Sequence, residues 1–299
     1  METGNETGPE PPVSAPERIN VSLRNFSDKA AAERFGGVIA GCVREISRYV
    51  DLERLDGITV AYDYDDALAQ LDRGFTPSRQ RTRTNDERLI GVAMAVPVMR
   101  SGIVKSHPVF FAPSVIPLEN KDDDAFRQAL YLVAHECGHV EDLKHRDTCF
   151  PGTLLQKTFT DYEEALLEQV VGAIWEEYAA CRVSALFHAE QLQVYEESFV
   201  SVVAGARERS NVLIQAYRIH GDIDRVLQEA GHELLEPLRM AAYLAGHMDG
   251  IDVSEKDVPA AMACLASSPY AGCVPDLQEA LREIWSKRGQ WRHRRFLLL

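Results

Sequence analysis

The stretch Leu132-Val133-Ala134-His135-Glu136-Cys137-Gly138-His139-Val140 carries more chemical information than any other part of this 299-residue chain. Two histidines four residues apart, with a glutamate directly after the first, form the pattern HExxH. Residues four apart share one face of an α-helix, so both imidazoles can reach a single metal ion while Glu136 projects beside them toward the water that such an ion activates. Leu132, Val133, Cys137, Gly138 and Val140 leave little polar surface around the histidines, and a buried pair of imidazoles needs a partner. The helical period runs over about residues 125–143, and Asp122, Asp123 and Asp124 match the positive end of its dipole.

Outward from this helix, almost everything downstream of Asp124 has a helical pattern. Thr160 and Glu163 form a capping box for a helix over about residues 161–199. Beyond Gly205, helical segments carry Val212, Ile214 and Ile219, then Val226 and Leu227, then Leu234 to Leu244, and finally Leu277 to Trp285. Upstream, Phe35, Val38, Ile39, Cys42, Val43, Ile46, Tyr49 and Val50 recur at three- and four-residue steps and predict a helix over residues 27–55, closed by Gly57. Runs with strand character follow at residues 58–64, 89–99 and 103–112. Arg73, Arg79, Arg81, Arg83 and Arg88 sit in a polar stretch between the first two, which reads as a solvated loop. Helix, small sheet, then many helices is the order of an α+β protein.

Composition narrows the function classes. Lys+Arg number 32 against 46 Asp+Glu, a formal net charge of −14, which argues against nucleic acid as a partner because phosphate neutralisation needs a basic surface. A hydrophobic content of 45 % with 26 % charged residues excludes disorder of the whole chain. No run approaches the roughly 18 apolar residues of a membrane span, and the first residues lack the basic and apolar regions of a signal peptide. Six cysteines without CxxC pairs fit reduced thiols, so a cytoplasmic protein with no membrane partner is expected. Residues 1–18 hold four of the fourteen prolines and read as a disordered tail, residues 19–205 as the core, and residues 206–299 as a helical C-terminal region open to a protein partner. From Arg282 to the end, six Lys+Arg face one acidic residue, a local charge of +5 on a solvated helix end that finishes in Phe296-Leu297-Leu298-Leu299.

The HExxH helix resembles that of the zincin metallopeptidases, with Glu141 standing where an apolar residue is usual. A catalytic zinc takes three protein ligands and leaves one position open. Trp175-Glu176-Glu177-Tyr178-Ala179-Ala180-Cys181 resembles the ExxA pattern of the gluzincin branch, which implies Glu177 as the third ligand; Cys181 stands where many gluzincins carry Asp or Asn. Small residues beside Glu177 (Ala173, Ala180, Cys181) would let its helix approach the motif helix closely. Two alternatives stay open. Glu176 is one, and His145 is the other, because His135, Glu136, His139 and His145 reproduce the histidine spacing of the metzincin branch, with Asp142 in place of its glycine.

What the gluzincin resemblance implies is a zincin-like small sheet with an active-site helix and a mostly helical C-terminal region. The activity it implies is zinc-dependent hydrolysis of a peptide or protein substrate. Zn2+ would be held by His135, His139 and Glu177, with Glu136 as general base. The oxyanion-stabilising residue stays open among Tyr178, His220, His232, Tyr243 and His247, and the strand ending in Val109-Phe110-Phe111 is expected at the edge that pairs with substrate. Cys149 reads as an ordinary loop thiol, with capping of the open zinc position as its sharper role. The resemblance covers roughly residues 105–185. Two rival functions are a non-catalytic binding or regulatory module with a structural zinc, and a metal-assisted hydrolase of something other than peptides.

Overall fold

A computed structural model describes residues 11–76 and 91–292. Its class is α+β, with a four-stranded mixed sheet followed by helices. The chain divides into two compact units, Met1–Lys144 and His145–Leu299.

In the first unit, β1 (Val21–Arg24), α1 (Lys29–Ile46) and β2 (Ile58–Ala61) form a parallel strand-helix-strand unit. After α2 (Tyr64–Ala69) come β3 (Ala93–Arg100) and β4 (Ile103–Phe111), and the sheet order is β1-β2-β4-β3. Strand β4 is parallel to β2 and antiparallel to β3, to which it is joined by Ser101 and Gly102, both at positive φ, as a two-residue hairpin turn demands. All four residues of β2 are buried, as an inner strand covered on both faces requires. Ala61, Tyr64, Ala67, Leu68, Val96 and Val109 pack together where α2 meets the sheet.

Asp28 caps α1 by accepting from the Ala30 amide at 2.8 Å, and Ala32, Phe35, Ile39, Val43 and Ile46 form its buried stripe. The helix ends at Ile46 although the apolar spacing continues to Val50. Ser14 stabilises that exit: its hydroxyl lies 2.7 and 2.8 Å from the carbonyl oxygens of Ser47 and Val50 and accepts from the Leu52 amide at 3.0 Å. Arg44 and Arg48 donate to the carbonyls of Glu17 and Pro11 at 2.7 and 2.9 Å. Residues 11–18, expected as part of a disordered tail, are thus tied down, while residues 1–10 lie outside the described residues.

Two expectations about the sheet are corrected. Strand β4, with Val109, Phe110 and Phe111, is not an edge strand, because β2 and β3 flank it. Strand β3 stands at the end of the sheet, and there the Met99 amide donates to the Arg73 carbonyl at 2.8 Å while Arg73 Nε donates to the Pro97 carbonyl at 3.2 Å. Arg73 is buried rather than solvated, with its guanidinium 4.6 Å from the Phe75 ring centre. Arg79, Arg81, Arg83 and Arg88 lie outside the described residues.

A polar network closes the same sheet. Arg100 forks onto Asp56 at 2.9 and 3.1 Å, Asp56 Oδ2 is 3.0 Å from His107 Nδ1, and His107 Nε2 is 2.9 Å from Thr59 Oγ1. Burial pushes His107 below the ordinary histidine value of 6.5, and Asp56 only partly offsets it.

The short α3 (Ala112–Val115) leads to α4 (Phe126–Cys149), which runs through the division between the units. In the second unit, α5 (Tyr162–Ser184) starts on Asp161, whose carboxylate accepts from the Glu163 amide at 2.8 Å; the cap is Asp161 rather than Thr160. The single helix expected over residues 161–199 is two. Ser184 donates back to the Ala180 carbonyl at 2.8 Å, a 3-10 turn over Ala185–Phe187 follows, and α6 (Gln191–Val203) begins anew. Then come α7 (Ala206–His220), α8 (Ile223–Gly250), α9 (Pro259–Ala266) and α10 (Cys273–Ser286). Helix α8 unites two segments that the sequence pattern separates, with Pro237 inside it.

Helices α5, α6, α7 and α10 all pack on α8. The α5 contact is close: a Cβ on Gly246 would stand 2.3 Å from the Tyr178 carbonyl oxygen, and one on Gly250 would stand 2.5 Å from that of Arg182. Ile174, Trp175, Tyr178, Ala242, Leu281 and Trp291 form the apolar core there. The basic end of the chain is partly docked on this core, with Arg282 Nε 3.1 Å from the Asp249 carboxylate and the Arg288 guanidinium 4.3 Å from the Trp285 ring centre; residues 293–299 lie outside the described residues. Among the described residues, no helix is long and apolar enough to cross a membrane.

Two predictions follow from this packing. Gly246→Ala should lower stability by about 1–3 kcal/mol, read as a shift of the urea midpoint, because the new methyl meets backbone that cannot turn aside. Gly231→Ala, where an added Cβ meets nothing within 4 Å, should lose none. For His107, the unfolded chain takes up a proton near pH 6.5 and the folded chain only at lower pH, so the stability of the neutral form is complete above 6.5 and is lost as the pH falls below it. The thermal midpoint of wild type relative to His107→Asn should therefore fall between about pH 7.5 and about pH 5; parallel curves would remove His107 as the cause.

Candidate metal centre

Helix α4 buries most of the motif: His135 is 7 % and Glu136 4 % exposed, and His139 is half-buried. The apolar residues around them place this face of the helix in the protein interior, with Val133, Ala134, Cys137 and Val140 all buried. The two imidazoles stand nearly perpendicular, at 86°, with their Nε2 atoms 3.2 Å apart. Nitrogens that each lie about 2.0–2.1 Å from one tetrahedral ion are about 3.3 Å from each other. The same spacing also suits a hydrogen bond between one protonated and one unprotonated ring.

The third group separates a ligand set from a mere pair of rings. One ligand atom from each of His135, His139 and Glu177 lies within 4.8 Å of the others, and this group can hold a metal ion. Two imidazoles and one carboxylate are a donor set for a borderline divalent metal.

Helix α5 presents Glu176 and Glu177 in different directions, because adjacent residues on a helix are turned by about 100°. Glu176 is bound by the Arg146 guanidinium. Glu177 is held in the second unit by α8, where Tyr243 shares a hydrogen bond with it and Arg239 Nη1 lies 3.7 Å from its Oε1. Burial pushes the Tyr243 hydroxyl well above the usual tyrosine range and the Glu177 charge adds to this, so Tyr243 stays protonated and donates. Arg239 in turn forks onto Glu236, with Nε 3.0 Å from Oε2 and Nη2 2.7 Å from Oε1.

His145 is placed elsewhere. Asp142 is buried within α4 and is absent from the residues at positive φ, so the chain does not leave the helix there. His145 lies beside Gly289, where a Cβ would be 2.9 Å from its Nδ1. Cys149 is the last residue of α4 and packs against the Trp175 core, rather than standing in a loop. Cys137, inside the motif, has its thiol pushed well up by burial, and Cys42 is pushed up to about 12, so neither offers a thiolate at neutral pH.

The five aromatic or imidazole candidates separate in the same way. Tyr178 is buried and donates to Asp249 at 2.7 Å. His247 is fully buried with Nε2 3.2 Å from the Ala189 carbonyl, and His220 Nδ1 accepts from the Asp222 amide at the α7–α8 turn. Tyr243 touches Glu177, and His232 Nδ1 stands 3.9 Å from Glu236. His232, Glu236, Arg239 and Tyr243 follow one another at three- and four-residue steps along one face of α8. Glu236 and Arg239 are the residues that reading the sequence for metal ligands misses, although this spacing was there to be read.

On α5, Cys181 Sγ lies 3.5 Å from the Tyr195 hydroxyl of α6, and the backbone at Tyr178 and Arg182 closely approaches Gly246 and Gly250 of α8.

Compared with protein families, with curated proteins and with solved structures, the chain matches none.

If the three residues act as one ligand set, Glu177→Ala should abolish stoichiometric metal binding by the purified protein, measured by elemental analysis. Glu176→Ala and His145→Ala should retain it, and loss of metal in His145→Ala would move the site.

Proposed function

We propose that this protein is a zinc-dependent metallopeptidase of the gluzincin type. Zn2+ would be held by His135, His139 and Glu177, and Glu136 would be the general base. The observation that carries this reading is the convergence of His135, His139 and Glu177, with Glu136 buried next to His135 on the same helix. Three protein ligands are what an open, catalytic centre uses, whereas a structural zinc is closed by four. Glu136 adds nothing to such a ligand set, and its place in the motif is explained by proton transfer.

Bound zinc would supply Lewis acidity and lower the pKa of its water toward about 7. The chain's own residues do the rest. Glu136 takes a proton from the water as the water oxygen attacks the peptide carbonyl carbon. It then gives that proton to the amide nitrogen as the C–N bond breaks, so it returns to its starting state. Burial of Glu136 excludes bulk water from this transfer.

Glu136→Gln should keep its zinc while chelator-sensitive cleavage of unstructured protein substrates falls by about 10²–10⁴-fold. Undiminished cleavage in that variant would sink the mechanism. Cleavage of none of a panel of unstructured proteins by zinc-loaded wild type would favour a hydrolase of other substrates or a binding module.

A further inference from the structure

Arg239 is an unusual neighbour for a metal ligand. A guanidinium carries five donors in a planar fork that matches a carboxylate bidentately, so an arginine beside Glu177 is a direct competitor of any cation for the same two oxygens. The geometry shows why that competition is not expressed. Nε and Nη2 are both spent on Glu236, at 3.0 and 2.7 Å, and only Nη1 faces Glu177, at 3.7 Å, beyond hydrogen-bonding distance. Glu236 is 4 % exposed, so it is fixed by its surroundings rather than waving in solvent. Tyr243, one turn further along α8, shares a hydrogen bond with Glu177 and so orients the carboxylate.

We propose that Glu236 is a positioning residue that sequesters the fork of Arg239 and thereby leaves the Glu177 carboxylate to a metal ion. The inference rests on the ligand set proposed above and adds two residues, Glu236 and Arg239, that touch no ion themselves. Releasing the fork lets Arg239 turn onto Glu177 and close it. Removing the fork as well reopens the carboxylate. Plain charge makes a different prediction, since any cation left at position 239 would then keep repelling the ion.

Zn2+ affinity, measured by competition with a chromophoric chelator on the full chain, separates these cases. Glu236→Gln should weaken Zn2+ binding by about 10–100-fold. Glu236→Gln combined with Arg239→Lys keeps the positive charge but has no fork, and should return to within about threefold of wild type. Arg239→Met alone, which has neither competitor nor charge, should bind at least as tightly as wild type. Wild-type affinity in Glu236→Gln, a double variant as weak as Glu236→Gln, or a tenfold loss in Arg239→Met would each overturn the proposal while leaving the ligand set intact. Wild type that takes up no Zn2+ would instead remove the ligand set, and this inference with it. Far-UV circular dichroism and the thermal midpoint of each variant identify one that is misfolded, and Arg239→Met decides the matter if Glu236→Gln does not fold.

Discussion

The second unit is organised by how close α8 comes to the backbone of α5. Gly246 and Gly250 lie one turn apart and face the carbonyls of Tyr178 and Arg182 at distances that no side chain would permit. At such a separation the residues flanking the contact are brought within reach of one another. Glu177 precedes Tyr178, and Tyr243 and Arg239 lie three and seven residues before Gly246, so they share one border of the contact. A carboxylate that is only 14 % exposed needs a donor, and this border supplies the Tyr243 hydroxyl, with the Arg239 guanidinium 3.7 Å away. The polar arrangement around Glu177 is thus a consequence of a packing constraint that contains no polar side chain.

The first unit meets a similar problem and solves it to a different end. Thr59, His107 and Asp56 stand in the hydroxyl-imidazole-carboxylate order of a nucleophilic relay, at 2.9 and 3.0 Å. Thr59, however, is 2 % exposed on an inner strand, and both Asp56 oxygens are engaged by Arg100. Each ring nitrogen of His107 has its partner within the network. Saturated in this way, the cluster fastens the segment before β2 to β3 and β4, and it has no group left for a substrate. His135 and His139 on α4 differ in that their Nε2 atoms stand 3.2 Å apart, a spacing that one ion could bridge.

What could be read from the sequence was decided by how local the cause was. The α4 helix and its two histidines were legible because period and chemistry coincide within nine residues. So was the α+β order of elements, since apolar period and turn residues are local signals. The end of α1 was not, because apolar spacing persists to Val50 while the exit is stabilised by Ser14, some thirty residues upstream in sequence. Strand β1 was missed because Val21–Arg24 is four residues long and exists through pairing with β2, beyond α1. The break between α5 and α6 carries no glycine or proline, and Pro237 lies where the helix continues, so the strongest punctuation residues mislead in both places. At the candidate site, the candidate ligands were nameable from spacing, whereas Glu236 and Arg239 are brought beside Glu177 only through the α5–α8 contact.

That contact also sorts two adjacent glutamates that the sequence leaves equivalent. Glu176 and Glu177 differ by one helical step, and each faces an arginine, Arg146 for the first and Arg239 for the second. The difference lies in what those arginines already hold. Arg146, its side chain 11 % exposed, is bound to Glu176, whose side chain is 44 % exposed. Arg239 is committed to Glu236, and one guanidinium then faces two carboxylates, which leaves the Glu236–Arg239–Glu177 group with a formal charge of −1. The two neighbouring glutamates are therefore told apart on α8, roughly sixty residues away in sequence, by what Arg239 already holds.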